Sequence, residues 1–328
     1  MPIKTKKILR VIFLMLAAVA LLLGLFFGGF WLSDRIYQDQ YLQVLNKAEV
    51  FSAGQDATSP LPQTELAQTM LNHFNSPLPD GKTVKKALII GLDGTRADAL
   101  INAVNPAESG ILTLKEQGGV YPVFTGGPEE LKQGTWTASG WATLLTGKWA
   151  LEDGGHKVSD NNDRKSVEPK TVLTRLVEDG KIKSADFIVS WNGHLKTKSA
   201  TYANEANYTK DNNLPINWNT TQNDTKTFET AKAQIGAGND FIFLILEYCD
   251  HVGHTSRFGN KNRLYREAFL TADADAKRLI DAVAERPDYV REDWLILITT
   301  DHGGTGLSHG GQSILERNVF VASNKPLV

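Results

Sequence analysis

The chain of 328 residues contains one cysteine, Cys249, so no disulfide can close within it. A domain of this length buries enough surface to be stable without one, including outside the cell. It also lacks any run or stripe of Lys and Arg, which excludes nucleic-acid polymers as partners held by bulk electrostatics. No internal repeat is present, so a solenoid or propeller is excluded. The first 33 residues lack acidic groups altogether and carry four basic ones, Lys4, Lys6, Lys7 and Arg10. The remainder holds 31 Lys and Arg against 37 Asp and Glu, a mildly acidic body.

Directly after the basic tip lies an uncharged run from Val11 to Leu32, VIFLMLAAVALLLGLFFGGFWL. As a helix, those residues extend about 33 Å, close to the thickness of a bilayer's hydrocarbon core. The run ends in Phe30-Trp31-Leu32 and Ser33-Asp34-Arg35 rather than in a small-x-small cleavage site. The expectation is a single-pass membrane anchor spanning residues 1–33, with the basic end in the cytoplasm and the rest outside. Residues 34–82 are polar and interrupted by Ser76-Pro77-Leu78-Pro79-Asp80-Gly81; they are expected to form a stalk, with a short amphipathic helix near 62–71. Residues 83–328 are expected to form the catalytic domain.

In that domain short apolar runs alternate with helical patterns. Strands are expected at 86–92, 186–191, 240–248, 294–300 and 317–322, where Ile, Leu, Val and Phe run on without alternation. Helices are expected at 95–103, 139–147, 170–179, 226–235 and 262–286, the last with Leu264, Ala268, Ala272, Ala276, Leu279 and Val283 at helical spacing. Strands alternating with helices predict a three-layer α/β/α sandwich around a largely parallel sheet. Residues 194–225, rich in Asn, Thr and Lys, have no periodicity and are expected to be a long surface excursion.

Carboxylates and imidazoles recur where the apolar runs stop. Asp93 ends Ala87–Asp93, Asp250 and His254 follow the third run, and Asp301-His302 follow the fourth. A buried carboxylate is costly without a partner, and in α/β sheets ligands bind beyond the carboxyl ends of the strands. Mixed oxygen and nitrogen donors suit zinc or a similar divalent ion, and two such ions suit phosphoryl chemistry. Cys249, within the apolar run, reads as a small buried side chain.

The order Asp93-Gly94, Thr137…Thr146-Gly147, Asp250-x-x-x-His254, Asp301-His302-Gly303 and then His309 resembles the alkaline phosphatase superfamily. Within it, the chain is most similar to bacterial type I phosphodiesterases and nucleotide pyrophosphatases, over roughly residues 86–323. The resemblance implies an alkaline phosphatase-like fold and a hydroxyl nucleophile at a helix start, ten residues before the Gly of a Thr-Gly pair. Counting back from Gly147 gives Thr137, with Thr135 and Ser139 as competitors. It further implies two divalent ions, zinc foremost, with Mn or Ca as alternatives. One would be held by Asp93, Asp301, His302 and the Thr137 oxygen, the other by Asp250, His254 and His309. His251 competes with His254 in its motif. The implied reaction is a double displacement through a phospho-threonine.

The resemblance also has gaps. A phosphate-binding Asn has Asn161 as its nearest match, at unusual spacing, and Asn161 by itself reads as a solvated loop residue. The Arg used by alkaline phosphatases proper has no clear counterpart; Arg96 reads as a surface helix residue, and His156, Lys157, Asn192 and His194 as loop residues. A sulfatase-like activity is disfavoured because no Cys-x-Pro-x-Arg pattern is present. The expected function is hydrolysis of small-molecule or lipid-linked phosphate esters. The alternative is transfer of a phospho-alcohol group from a lipid to an envelope acceptor, and the least favoured reading is a non-catalytic module.

Overall fold

The computed structural model describes residues 3–327, except for the side chains of residues 3–11, 23, 25–28, 30 and 31. Two compact units are present, residues 1–40 and 41–328. The first contains the helix α1 (Ile3–Gln38). Among the described residues no helix is long and apolar enough to cross a membrane. The expected anchor falls in part on residues outside the described set.

The second unit begins with α2 (Tyr41–Lys47), β1 (Leu61–Pro62) and α3 (Glu65–Asn75), then β2 (Val84–Leu92), α4 (Gly110–Gln117), β3 (Gly119–Phe124), α5 (Thr137–Thr146) and α6 (Val172–Glu178). It continues with β4 (Ala185–Val189), α7 (Ala203–Asp211), β5 (Ile216–Thr220), α8 (Asp224–Ala237), β6 (Phe241–Leu246) and α9 (Tyr248–Ser256). Last come α10 (Arg263–Ala284), β7 (Glu292–Thr299), α11 (Ile314–Arg317) and β8 (Asn318–Ser323).

The eight strands form one sheet in the order β1-β3-β8-β7-β2-β6-β4-β5. The sheet is mixed: β8 runs antiparallel to both β3 and β7, while the other pairs are parallel. Alternate residues of the central strands face opposite ways. Ala87, Ile89, Phe243, Ile245, Leu295 and Leu297 join a core with α3, α5 and α6. Leu88, Ile90, Ile242, Leu244, Ile296 and Ile298 are equally buried and face the layer of α4, α8 and α10. Because both faces are covered, these strands read as unbroken apolar runs.

Three expectations differ from what is found. Residues 41–82 do not stand apart as a stalk, because Leu66, Ala67, Met70, Leu71 and Phe74 make one face of α3 and bury it in the core. The stretch 194–225 contains α7 and the edge strand β5, whose Asn and Thr residues alternate with Ile216 and Trp218 because Ile216 and Trp218 share the face packed on the core. On α10 Leu264 is exposed, while Tyr265 and Phe269 take the buried stripe.

Buried imidazoles give the fold an acid sensitivity. His194 lies among Phe187, Trp191 and Tyr202, with neither ring nitrogen hydrogen-bonded, and burial lowers its pKa to about 3. Burial likewise lowers His156 to about 3. An unfolded imidazole takes a proton near pH 6.5, so the unfolded state binds more protons below that value. Stability is then fully present above pH 6.5 and is lost as pH falls toward 3. A three-unit depression is worth on the order of 4 kcal/mol. His194→Phe should therefore flatten the fall in urea midpoint between pH 7 and pH 5; an unchanged slope would assign the sensitivity elsewhere.

Candidate metal centre and nucleophile

The central strand β2 lies between β6 and β7, with Leu92 opposite Leu246 and Gly91 opposite Thr299. That register brings the residues beyond the three strand ends side by side. Asp93 follows β2, Asp301-His302 follow β7, and the chain after β6 turns at once into α9, which carries Asp250 and His254. Gly94 has φ +65°, and a Cβ there would lie 2.8 Å from the Asp250 Cβ. Only glycine allows the two strand ends to approach this closely. Gly140 of α5 is likewise pressed on Asp301, 2.8 Å from where its own Cβ would be.

Two clusters result: Asp93, Asp301 and His302, and Asp250, His254 and His309. In the first, His302 Nε2 lies 3.6 Å from Asp93 Oδ1 and 3.2 Å from Asp301 Oδ2. In the second, Asp250 lies 3.4 Å from His254 Nε2 and 3.6 Å from His309 Nε2. The His302 and His309 rings stack with centroids 3.7 Å apart, so the clusters adjoin.

The tautomers are set by the outer nitrogens. His254 Nδ1 meets the Leu307 carbonyl at 2.9 Å, His302 Nδ1 the Gly303 carbonyl at 2.7 Å, and His309 Nδ1 the Thr135 carbonyl at 2.8 Å. A carbonyl only accepts, so each ring carries its proton on Nδ1 and turns the Nε2 lone pair inward. His254 and His309 then oppose two lone pairs at 3.1 Å. Asp93 Oδ1, Asp250 Oδ1 and Asp301 Oδ2 are buried and accept no hydrogen bond. Converging lone pairs met by no donor but the Thr137 hydroxyl are what a cation requires, and this oxygen–nitrogen donor set fits a zinc-like ion.

Electrostatics agree. Burial, then the charges of Asp301 and Asp250, push the Asp93 carboxyl well above its usual range; burial and Asp250 do the same to Asp301. Burial drives His302 and His309 down, keeping both neutral.

Thr137 opens α5, and its Oγ1 lies 3.2 Å from His302 Nε2. The next backbone N–H, Ala138, donates to Asn161 Oδ1 at 3.0 Å, so Asn161 lies against the helix start rather than in a solvated loop. The competing hydroxyls are engaged elsewhere. Thr135 Oγ1 donates to the Gly311 carbonyl and accepts from Gly310 N, and Ser139 Oγ donates to the carbonyls of Gly134 and Trp136. Arg96 is buried, not on the surface: it pairs with Asp98 at 2.8 Å and donates to the Gly304 carbonyl, bracing the loop behind His302. His156 is a buried partner of Thr143, Lys157 and Asn192 are exposed, and His251 is exposed near the second cluster.

A profile of the type I phosphodiesterase / nucleotide pyrophosphatase family matches residues 87–323. The chain belongs to this family. No curated protein matches it. Among solved structures, an inactive variant of murine ectonucleotide pyrophosphatase / phosphodiesterase 5 in complex with AMP is similar at 16% identity and a TM-score of 0.44, over 68% of this chain and 57% of that one. The chain thus spans little more than half the murine protein's length. Lipoteichoic acid synthase LtaP from Listeria monocytogenes is 10% identical over 80% of this chain and 72% of that one, with a TM-score of 0.44. The periplasmic domain of EptC from Escherichia coli in complex with Zn is 9% identical over 75% of each chain, at 0.43.

This phosphodiesterase-family chain braces the donor clusters with groups that sequence motifs do not reveal. Trp141 Nε1, on the same helix as Thr137, donates to Asp93 Oδ2 at 2.9 Å and leaves Oδ1 free. Gln63, from the segment expected as a stalk, donates to the Thr300 and Asp301 carbonyls, and Tyr265 donates to the Gly94 carbonyl at 2.6 Å. A tryptophan on a helix reads from sequence as core, so only the fold exposes this partnership. Trp141→Phe should weaken metal binding about 10- to 100-fold in chelator competition. Unaltered affinity would reduce the indole to packing.

Proposed function

We propose that this chain hydrolyses phosphate diesters or pyrophosphates at a two-cation centre, with Thr137 as the nucleophile. Asp93, Asp301, His302 and the Thr137 oxygen would hold one cation, and Asp250, His254 and His309 the other, zinc being favoured by the donor set. When bound, such ions neutralise charge on the phosphoryl oxygens and lower the pKa of a neighbouring hydroxyl. Thr137 Oγ bonds to phosphorus as the bond from phosphorus to the leaving oxygen breaks, and the Thr137 proton departs with the leaving group, an alcohol from a diester or a phosphate from a pyrophosphate; water then cleaves the phospho-threonine, one of its protons returning to Thr137 Oγ. The amino end of α5 offers free N–H groups to the phosphate oxygens, and Asn161 holds the Ala138 amide in place beside them.

The observation that carries this reading is the set of three imidazoles turned by backbone carbonyls toward unpartnered carboxylate oxygens beside one hydroxyl. Metal analysis of the purified full-length chain should find close to two divalent ions. Bis(p-nitrophenyl) phosphate should be turned over faster than p-nitrophenyl phosphate. Metal without either activity would favour group transfer, and a metal-free, inactive chain would end the proposal.

The apolar run from Val11 to Leu32 supports a location at the cell membrane, with residues 41–328 outside the cytoplasm. Alkaline carbonate extraction should leave the full chain in the pellet, and protease added outside the cell should reach it. Release into the supernatant would contradict the anchor.

A further inference from the structure

A cleft of about 910 Å³ opens beside the donor clusters. Asn161, which touches the amide next to Thr137, forms one wall, and His251 and Val252 of α9 form another next to Asp250. The rest of its lining includes Trp191, Tyr248, Asp224 and Glu247. No Lys or Arg lines it among the described residues, and His251 is the one lining side chain able to become positive. A substituent carrying further phosphate groups would enter a cleft with two carboxylates and no fixed cation to receive it. That charge balance is wrong for a chain of phosphates and right for a positive group.

The walls are preorganised. Asp224 Oδ1 accepts from Glu247 N at 3.0 Å and from Ser190 Oγ at 3.3 Å, while Glu247 Oε1 accepts from Trp191 N at 2.7 Å. Each carboxylate is thus fixed in the wall by a backbone N–H. Tyr248 is fixed by its hydroxyl donating to Asp275 at 3.1 Å. Trp191 is braced against Ala138 and Ala142 of the nucleophile's own helix and against Val158, and meets His194 edge-on at 4.9 Å. Aromatic faces beside carboxylates are the chemistry that recognises ammonium groups.

We propose that this cleft receives an ester substituent bearing an ammonium group, which makes phosphorylated amino alcohols the substrate class of the centre. The inference rests on the phosphoesterase reading above. A free ester and a lipid headgroup present the same chemistry.

The test compares p-nitrophenyl phosphorylcholine with its uncharged isostere, p-nitrophenyl 3,3-dimethylbutyl phosphate, on the full-length chain. Shape and leaving group are constant, so only the positive charge differs. The expected result is a kcat/KM at least about tenfold higher for the charged ester, falling toward parity in Asp224→Asn/Glu247→Gln. A wild-type ratio at or below one overturns the inference, whatever the absolute rate. If neither these esters nor bis(p-nitrophenyl) phosphate is turned over, the hydrolase reading fails separately. Calorimetry with phosphorylcholine and 3,3-dimethylbutyl phosphate then decides: tighter binding of the cation sustains the cleft's assignment, and equal or weaker binding overturns it. Turnover of glycerophosphocholine assigns a free ester as the source, and turnover of phosphatidylcholine vesicles assigns a lipid headgroup.

Discussion

Replacing Thr137 with alanine should lower turnover of bis(p-nitrophenyl) phosphate by about 10⁴-fold or more, the scale on which removal of a nucleophile acts. Bound metal should stay near the wild-type level, because all six carboxylate and imidazole donors of the two clusters lie outside α5, and His309 is held by the Thr135 carbonyl rather than by its hydroxyl. Hydrogen-bond commitment separates Thr137 from its neighbours. Thr135 Oγ1 both donates to Gly311 and accepts from Gly310, so freeing it would undo the loop that carries His309. Ser139 Oγ is turned back on the carbonyls of its own helix start. Thr137 Oγ1 alone of the three faces a cluster imidazole, at 3.2 Å. Thr137→Ser should keep a large share of the rate, since the oxygen is retained and only a methyl is lost. Full activity in the alanine variant would transfer the role to Thr135 or Ser139.

The parts of this molecule that were legible in the sequence share a physical cause. β2, β6 and β7 are buried on both faces, so their Ile, Leu and Phe residues form continuous runs whose ends are easily found, and Asp93, Asp250 and Asp301 stand where those runs stop. The adjacency of Asp301 and His302, and the four-residue step from Asp250 to His254, are local signals of the same kind. The illegible parts were carried by tertiary partnership. β5 is an edge strand with a polar face, and β3 contains Pro122, so neither presents an apolar run. Gln63 lies in a stretch whose composition suggests a stalk, yet its amide bridges the Asp301 loop and Thr125 Oγ1. Glu247 was hidden inside an apolar segment that reads as strand through Tyr248. The strand ends at Leu246, and the carboxylate turns into the cleft instead.

Removal of the cations with a chelator should cost at least about a thousandfold in turnover, the equivalent of several kcal/mol of lost charge stabilisation. It should also lower the unfolding midpoint, and the pH dependence of that loss is set by the buried carboxylates. Burial first, and neighbouring charge second, raise Asp93 and Asp301 above their unfolded values. A group whose folded pKa is raised stabilises the fold while protonated, and that contribution is lost as pH rises through the folded value. The metal-free chain therefore becomes progressively less stable, in respect of these two groups, above the unfolded carboxylate pKa of about 4. Bound cations would remove the penalty by pairing with the ionised oxygens, and would bind better as protons leave the site. Both effects have the same sign. The gap in urea midpoint between the zinc-loaded and chelated chain should accordingly be wider at pH 8 than at pH 5.5. The acid sensitivity from His156 and His194 is common to both forms and cancels in that difference. A gap that is constant with pH, or turnover that survives chelation, would show that the converging lone pairs of His254, His302 and His309 serve the fold and not a cation.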